Sequence, residues 1–163
     1  MLHTIVALVE DKPGVLNRVA SLLRRRMLNV ESLTAATVRP GVTRLTITID
    51  TDTVGAGRVV ATLYKLINVL EAQDLADESA IACDIALVKV THSNGNADVL
   101  NRIVGETGAR IVDRGATTAT VEIAGEPGRV DAAVERLAVL GIVDMARAGR
   151  VSIAKGDTKL GDR

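Results

Sequence analysis

Aromatic side chains are almost missing from this sequence, which has no Trp and no Phe and only one Tyr, Tyr64. The protein therefore has no stacking platform on which bases could bind. Charge does not favour a nucleic-acid partner either, because 20 basic and 20 acidic residues cancel to a formal net charge of +0. A neutral chain creates no general field that attracts nucleic acid or an anionic membrane, so we expect neither among its partners.

Cysteine and histidine are equally scarce. The single cysteine, Cys83, excludes an intramolecular disulfide and is typical of a reducing compartment. His3 and His92 are too few for an ordinary zinc site, so we expect no metal ligands. No apolar run approaches the ~20 residues of a membrane span, and MLHTIVALVEDKPG lacks the basic region and cleavage site of a signal peptide. These absences predict a cytoplasmic protein.

The pattern of apolar residues in the first half predicts the order strand, helix, strand, strand, helix, strand. HTIVALVE is nearly all apolar, as in a strand covered on both faces. Helical spacing predicts helices over residues 13–26 and around 59–67. Further strands are predicted at 29–38, at 43–50, where apolar and polar residues alternate, and at 68–76.

The same order then repeats in the second half. DIALVKVTH resembles a strand, and Val99, Leu100, Ile103 and Val104 have the spacing of one helix face. ARIVDRG and TTATVEIAG resemble two further strands, EPGRVDAAVERLAVLG a second helix, and IVDMARAGRVSI strand-like runs broken at Gly149. We therefore predict an α+β fold of two tandem ferredoxin-like βαββαβ units. The predicted boundaries are 1–76, a linker at 76–80, 81–157, and a polar tail at 158–163. Because helices on one face leave the other face of each sheet open, we expect at least a homodimer.

The junction between the first strand and the first helix, EDKPGVL, is the leading candidate for a binding site. The first N–H groups of a helix lack intrahelical partners and lie at the positive end of its dipole. Gly14 would let a carboxylate approach them, and Asp11 could hold an ammonium group. This predicts a site for a small amino acid. The sequence leaves open the alternative that Asp11 only caps the helix and that Pro13 and Gly14 only shape the turn.

Three further residues belong to this hypothesis. Val15 and Leu16 could border the side chain of the ligand. Asn29 offers both a donor and an acceptor, and we expect it to lie at the same end of the sheet as the junction.

The segment LVEDKPGVLNRVASLLRRR, followed by NVESLT and TRLTI, resembles the N-terminal ACT domain of acetolactate (acetohydroxyacid) synthase small subunits. The similarity continues through LYKLINVLEAQDL, IALVKV, ARIVD, EPGRVDA and ARAGRVSIAKGD, and so spans essentially the whole chain. It implies an N-terminal ACT domain and a C-terminal ACT-like domain. It also implies a regulatory subunit that activates the thiamine-diphosphate-dependent catalytic subunit and confers feedback inhibition by a branched-chain amino acid, above all valine.

The resemblance also implies where the effector binds: between paired ACT domains of a homodimer. The corresponding positions are Asp11, Gly14, Val15, Leu16, Asn29 and Val30. No catalytic residue and no cofactor are implied for this chain. Thiamine diphosphate and magnesium, with flavin as a further candidate, would belong to the large catalytic subunit. The chain departs from the family pattern at Met27 and Leu28, which replace a glycine and an aromatic residue, and at position 11, which often carries Asn.

Two other classes of function stay open at this stage. One is a stand-alone amino-acid-binding ACT module that regulates another enzyme or transcription, and the other is a small ferredoxin-like enzyme. The remaining motifs are weak: VGAGRVV lacks the third glycine of a dinucleotide site, and Cys83 has no evident base nearby. The basic run at residues 24–26 is typical of a solvated helix face. EPGRVDA gives only a weak hypothesis of a second effector site.

Overall fold

The computed structural model describes residues 1–75, 80–93 and 95–160. Its elements follow the predicted order in both halves, which confirms the α+β fold with two tandem ferredoxin-like units. Residues 76–79 of the predicted linker and 161–163 of the predicted tail lie outside the described part. The elements are β1 (Leu2–Glu10), α1 (Val15–Arg25), β2 (Asn29–Arg39), β3 (Val42–Asp50), α2 (Thr53–Leu63), β4 (Val69–Leu75), β5 (Ala80–Thr91), α3 (Ala97–Thr107), β6 (Arg110–Arg114), β7 (Thr118–Gly125), α4 (Pro127–Leu137), β8 (Ile142–Arg147) and β9 (Val151–Ala154).

The first sheet has the strand order β2-β3-β1-β4, and every neighbouring pair is antiparallel. The apolar residues of β1 and β3 on one face pack against α1 and α2. This core includes Ile5, Ile47, Ile49, Val19 and Leu63, each with a relative exposure of 0%. Since β1 and β3 are central, β2 and β4 form the two edges of this sheet.

The second unit repeats this plan, with the strand order β6-β7-β5-β8 and with α3 and α4 packed on one face. Its fully buried side chains include Val88, Leu100, Val121, Val130 and Leu137. Arg129 stabilises the end of α3, because its Nε and Nη2 donate to the carbonyl oxygen of Thr107 at 3.1 and 2.7 Å. No helix in the described ranges 1–75, 80–93 and 95–160 has the length and apolar character that crossing a membrane requires.

The last part of the chain packs with the first unit. The compact units are Met1–Ala82 together with Gly149–Arg163, and Cys83–Ala148. We call residues 149–160 the return segment. Its Ala154 and Leu160 pack against a buried cluster of Val6, Leu75 and Ala80. The open face of the first sheet is therefore partly covered by the chain's own C-terminal region, which the sequence did not indicate. The predicted boundaries 1–76 and 81–157 stay predictions.

Two glycines fix how helices begin. α1 starts at Val15 and not at residue 13, because Gly14 lies in the left-handed region with φ +81° and forms the N-cap. Gly55, the first glycine of VGAGRVV, donates its backbone N–H to Asp52 Oδ1 at 2.6 Å, so that Asp52 caps α2. A Cβ on Gly55 would lie 2.1 Å from Thr51 Oγ1. Helix capping therefore explains this glycine without a nucleotide.

Candidate functional site

The backbone at the end of β1 is held by neighbouring loops. The N–H of Glu10 donates to the carbonyl oxygen of Asn68 at 2.9 Å, and that of Asp11 donates to the carbonyl oxygen of Gly41 at 2.9 Å. These bonds fix the chain immediately before it turns into α1, so the start of the helix has a defined position.

The start of α1 is open. Gly14 is the N-cap, and among the described residues no side chain caps the first turn. The first intrahelical bond runs from the N–H of Arg18 to the carbonyl oxygen of Gly14 at 3.0 Å, so the N–H groups of Leu16 and Asn17 precede it. A Cβ on Gly14 would meet no atom within 4 Å. The geometry therefore leaves room for an anion at the helix start.

Asp11 does not cap this helix. Its Oδ2 accepts a hydrogen bond from Thr37 Oγ1 at 3.4 Å, which directs the carboxylate toward β2. The structure thus lacks the capping bond of the structural alternative, whereas Gly14 does shape the turn through its left-handed backbone, as that alternative also held. Asp11 is exposed and can form a charge-assisted hydrogen bond with an ammonium group.

A network of hydrogen-bonded polar side chains holds the junction in place. Asn68, which is 8% exposed, donates from Nδ2 to Glu10 Oε2 at 2.5 Å and accepts from Arg18 Nη1 at 2.5 Å. Lys12 Nζ lies 3.1 Å from the same Glu10 oxygen. The bond from Asn68, and then the interaction with Lys12, lower the pKa of Glu10. Asn68 was missed from the sequence, because a single polar residue that is distant along the chain gives no local signal.

The two apolar residues of the predicted site differ in exposure. Val15 is 4% exposed and packs in the core of the first unit, so its side chain faces away from solvent. Leu16 is 44% exposed. Of these two side chains, only that of Leu16 is placed to border a ligand at the surface.

Asn29 and Val30 lie at the far end of the sheet, so the expectation that Asn29 shares an end with the junction is wrong within one chain. Asn29 pairs with Asp50, which pairs with Leu2 at the start of β1. The junction follows Glu10, at the other end of the same strand. The physical reason is that α1 runs back along the sheet before β2 begins. The side chain of Asn29 donates from Nδ2 to Glu31 Oε1 at 2.6 Å.

The other candidate residues do not form a reactive group. Cys83 Sγ contacts the carbonyl oxygen of Asp84 at 3.6 Å, and His3 Nδ1 lies 2.9 Å from Asp74 Oδ2. His92 Nε2 lies 3.5 Å from Arg114 Nη1. In the part of the chain that the structure describes, no three His, Cys, Asp or Glu side chains come together as metal ligands would.

A groove of about 480 Å³ lies between α2 and the edge strand β4. Tyr64 crosses it, accepting from the N–H of Ala72 at 3.1 Å and donating to its carbonyl oxygen at 3.0 Å. The hydroxyl therefore satisfies backbone groups on the edge of the sheet. This structural role explains the single Tyr in the chain.

The fold and the open helix start define a class of protein with two ferredoxin-like domains, the first of them an ACT domain. A family model described as "AHAS small subunit-like ACT domain" matches residues 5–71, and one described as "Small subunit of acetolactate synthase" matches residues 84–156. The chain belongs to the acetolactate synthase small-subunit family.

Curated relatives and a solved structure agree. The acetolactate synthase small subunit of Mycobacterium bovis is 36% identical over 98% of this chain and 95% of its own. That of Mycolicibacterium smegmatis is 33% identical over 98% of this chain and 94% of its own. The crystal structure of the acetolactate synthase small subunit from Thermotoga maritima superposes with a TM-score of 0.88 at 27% identity, and covers 97% of this chain and 99% of that one.

Proposed function

We propose that this chain is a regulatory subunit that activates the catalytic large subunit of acetolactate synthase and confers feedback inhibition by a branched-chain amino acid, with valine the first candidate. Membership of the acetolactate synthase small-subunit family supports the catalytic large subunit as the partner. The uncapped start of α1 at Gly14 is the observation that supports the proposed effector site. The reaction, with thiamine diphosphate, magnesium and flavin as the candidate cofactors, belongs to the large subunit, and the cytoplasmic location stays a prediction.

The proposed ligand is a zwitterion whose two charged ends meet complementary groups. Its carboxylate accepts from the first-turn N–H groups of Leu16 and Asn17, where the helix dipole is positive. Its ammonium group lies against the carboxylate of Asp11. Its apolar side chain covers the exposed part of Leu16. A branched aliphatic group matches a surface at which Leu16 is exposed and the described residues of the proposed site contribute no aromatic side chain.

The remaining two residues reach this site from a second copy of the chain. β2 is an edge strand, so two copies can pair antiparallel through it around a two-fold axis. Antiparallel pairing places the start of one β2 beside the end of the other. Because Arg39 at the end of β2 pairs with Val42, and Val42 with Glu10, that end lies beside the junction. The partner subunit's Asn29 and the partner subunit's Val30 would then complete the site.

Substitutions at Gly14 test the binding mode. Gly14→Asp places a negative charge where the carboxylate docks, whereas Gly14→Asn has nearly the same shape and the same left-handed backbone but no charge. We expect valine affinity, measured by calorimetry on the full chain, to fall at least about tenfold further in the Asp variant than in the Asn variant, equivalent to about 1.4 kcal/mol. Gly128→Asp at the second Pro-Gly pair is the matched control, since a Cβ there also meets no atom within 4 Å.

Unchanged valine binding in Gly14→Asp would refute the site. Reconstitution with a catalytic large subunit tests the role: pyruvate condensation is followed with and without valine, leucine and isoleucine. We expect the chain to raise the rate and one amino acid to lower it. Amino-acid binding without any effect on the catalytic subunit would favour a stand-alone ACT module. Turnover by the isolated chain would favour a small enzyme.

A further inference from the structure

The return segment crosses the open face of the first sheet and contacts β2. Arg44 Nη2 donates to the carbonyl oxygen of Ser152 at 2.7 Å, and Ser152 Oγ donates to that of Ile81 at 3.1 Å. Beyond these bonds, Ala154 and Leu160 pack on the apolar cluster described above. The segment is therefore anchored downstream of the point where it meets β2.

At that point the return segment approaches β2 so closely that a side chain at position 149 would clash. A Cβ added to Gly149 would lie 2.5 Å from Thr34 Oγ1 and 3.2 Å from the carbonyl carbon and oxygen of Leu33. Separations below 3.0 Å force one of the two groups to move. The next residue continues the contact, because the N–H of Arg150 donates to Ser32 Oγ at 3.4 Å.

This contact covers one face of β2. Ser32 and Thr34 lie on that face, opposite Thr48 and Thr46 of β3, and are the two partly buried residues of the strand. On the other face Leu33 lies opposite Ile47 of the core and is 39% exposed. Edge strands with little side-chain packing open easily. The return segment therefore adds packing to one face of an edge strand whose remaining residues are largely exposed.

We propose that Gly149 is a positioning residue for the effector site: its close contact with Leu33 and Thr34 fixes β2, which carries Asn29 and Val30. The inference rests on the proposed function. It links amino-acid binding to the position where the chain re-enters the first unit at Gly149. The contact buries Thr34 Oγ1, which has no hydrogen-bond partner in the described residues.

The test is a double-mutant cycle on the full chain. Gly149→Ala introduces the clash with Thr34 Oγ1, and Thr34→Ala removes that atom. We expect Gly149→Ala to weaken L-valine binding by about threefold to thirtyfold, the range typical of coupled positions. The double variant should recover most of that loss, and Thr34→Ala alone should bind like the wild type. Gly57→Ala is the control, since a Cβ there meets no atom within 4 Å.

Amide hydrogen exchange gives a second readout that needs no ligand. Gly149→Ala should speed exchange across residues 29–38, and the double variant should slow it again. Unchanged exchange in Gly149→Ala, or failure of Thr34→Ala to rescue it, would overturn the positioning role. Faster exchange with unchanged valine affinity would also overturn it. A wild-type chain that binds no valine would instead overturn the proposed function, and the effector role of Gly149 with it.

Discussion

Met27 occupies a backbone conformation that favours glycine, and replacing it should stabilise the protein. Its φ is +51°, the one positive φ at a non-glycine residue among those the structure describes. The N–H of Met27 donates to the carbonyl oxygen of Arg24 at 2.9 Å, and that of Leu28 donates to Leu23 at 3.3 Å. These bonds form a Schellman motif at the end of α1, with Met27 at the position that glycine usually fills.

The expected change in the free energy of unfolding is the difference between two opposing effects. The left-handed conformation costs an L-residue about 1–2 kcal/mol. Glycine avoids this cost but loses about 0.5–1 kcal/mol more in backbone entropy on folding. The side chain of Met27 is 92% exposed, so its removal sacrifices almost no buried apolar surface. We therefore expect Met27→Gly to raise the free energy of unfolding by roughly 0.5–1 kcal/mol, or Tm by about 1–4 °C for a chain of this size.

Urea unfolding followed by circular dichroism measures this effect as a higher midpoint at an unchanged m-value. Arg26→Gly is the control one residue earlier, where φ is −88° and glycine brings no relief. That variant also loses the bond from Arg26 Nη2 to Thr62 Oγ1 at 3.0 Å, and its midpoint should fall. A midpoint for Met27→Gly at or below that of the wild type would refute the strain argument.

Two further predictions concern hydrogen bonds. Tyr64→Phe should lower the free energy of unfolding by about 1–3 kcal/mol in urea titration, because the backbone N–H and carbonyl of Ala72 lose their partner; an unchanged midpoint would show that water replaces the hydroxyl. Glu10 has a folded pKa below its ordinary value of 4.5, so its contribution is present above that pH and is lost as the pH falls through the folded pKa. Glu10→Gln lacks this titration, so its stability should fall less than that of the wild type between pH 6 and about pH 3. Equal losses in the two proteins would contradict the assignment.

Local periodicity predicted the order of the elements and most of their positions. It was wrong for α2, which was predicted around 59–67 and lies at Thr53–Leu63, because the apolar spacing missed the first turn that Asp52 caps and included residues beyond the end of the helix. The alternation of Leu45, Ile47 and Ile49 with polar residues predicted β3, and the structure buries all three at 1% exposure or less. The strand predicted at 68–76 is β4, Val69–Leu75. These predictions succeeded because each depends on which face of one element is apolar, and that pattern lies within a few residues.

Contacts between distant residues could not be predicted in this way. ARAGRVSI begins at the end of β8 in the sequence, and from Gly149 onward the chain packs with the first unit. Nothing near Gly149 in the sequence indicates that Thr34 will be its neighbour. The position of Asn29, in contrast, could have been predicted from the order of the elements alone. A helix that connects two parallel strands returns the chain to the end of the sheet at which the first strand began. β2 therefore begins far from the junction at Gly14.

The two Pro-Gly pairs show how a small shift in register decides whether a helix start can bind an anion. In the first pair, Gly14 is the N-cap, so the N–H groups of Leu16 and Asn17 both precede the first intrahelical bond. In the second, α4 begins at Pro127 itself, which has no N–H, and the N–H of Arg129 already donates to the carbonyl oxygen of Glu126 at 3.0 Å.

Of the first-turn amides in α4, only that of Gly128 is therefore left for a ligand. A carboxylate is bound more strongly by two donors than by one. The second junction thus offers a weaker anion site than the first although the dipeptide is the same. Two ferredoxin-like units of one chain can therefore share a fold and a Pro-Gly pair while only the first leaves two consecutive first-turn N–H groups ahead of the first intrahelical bond.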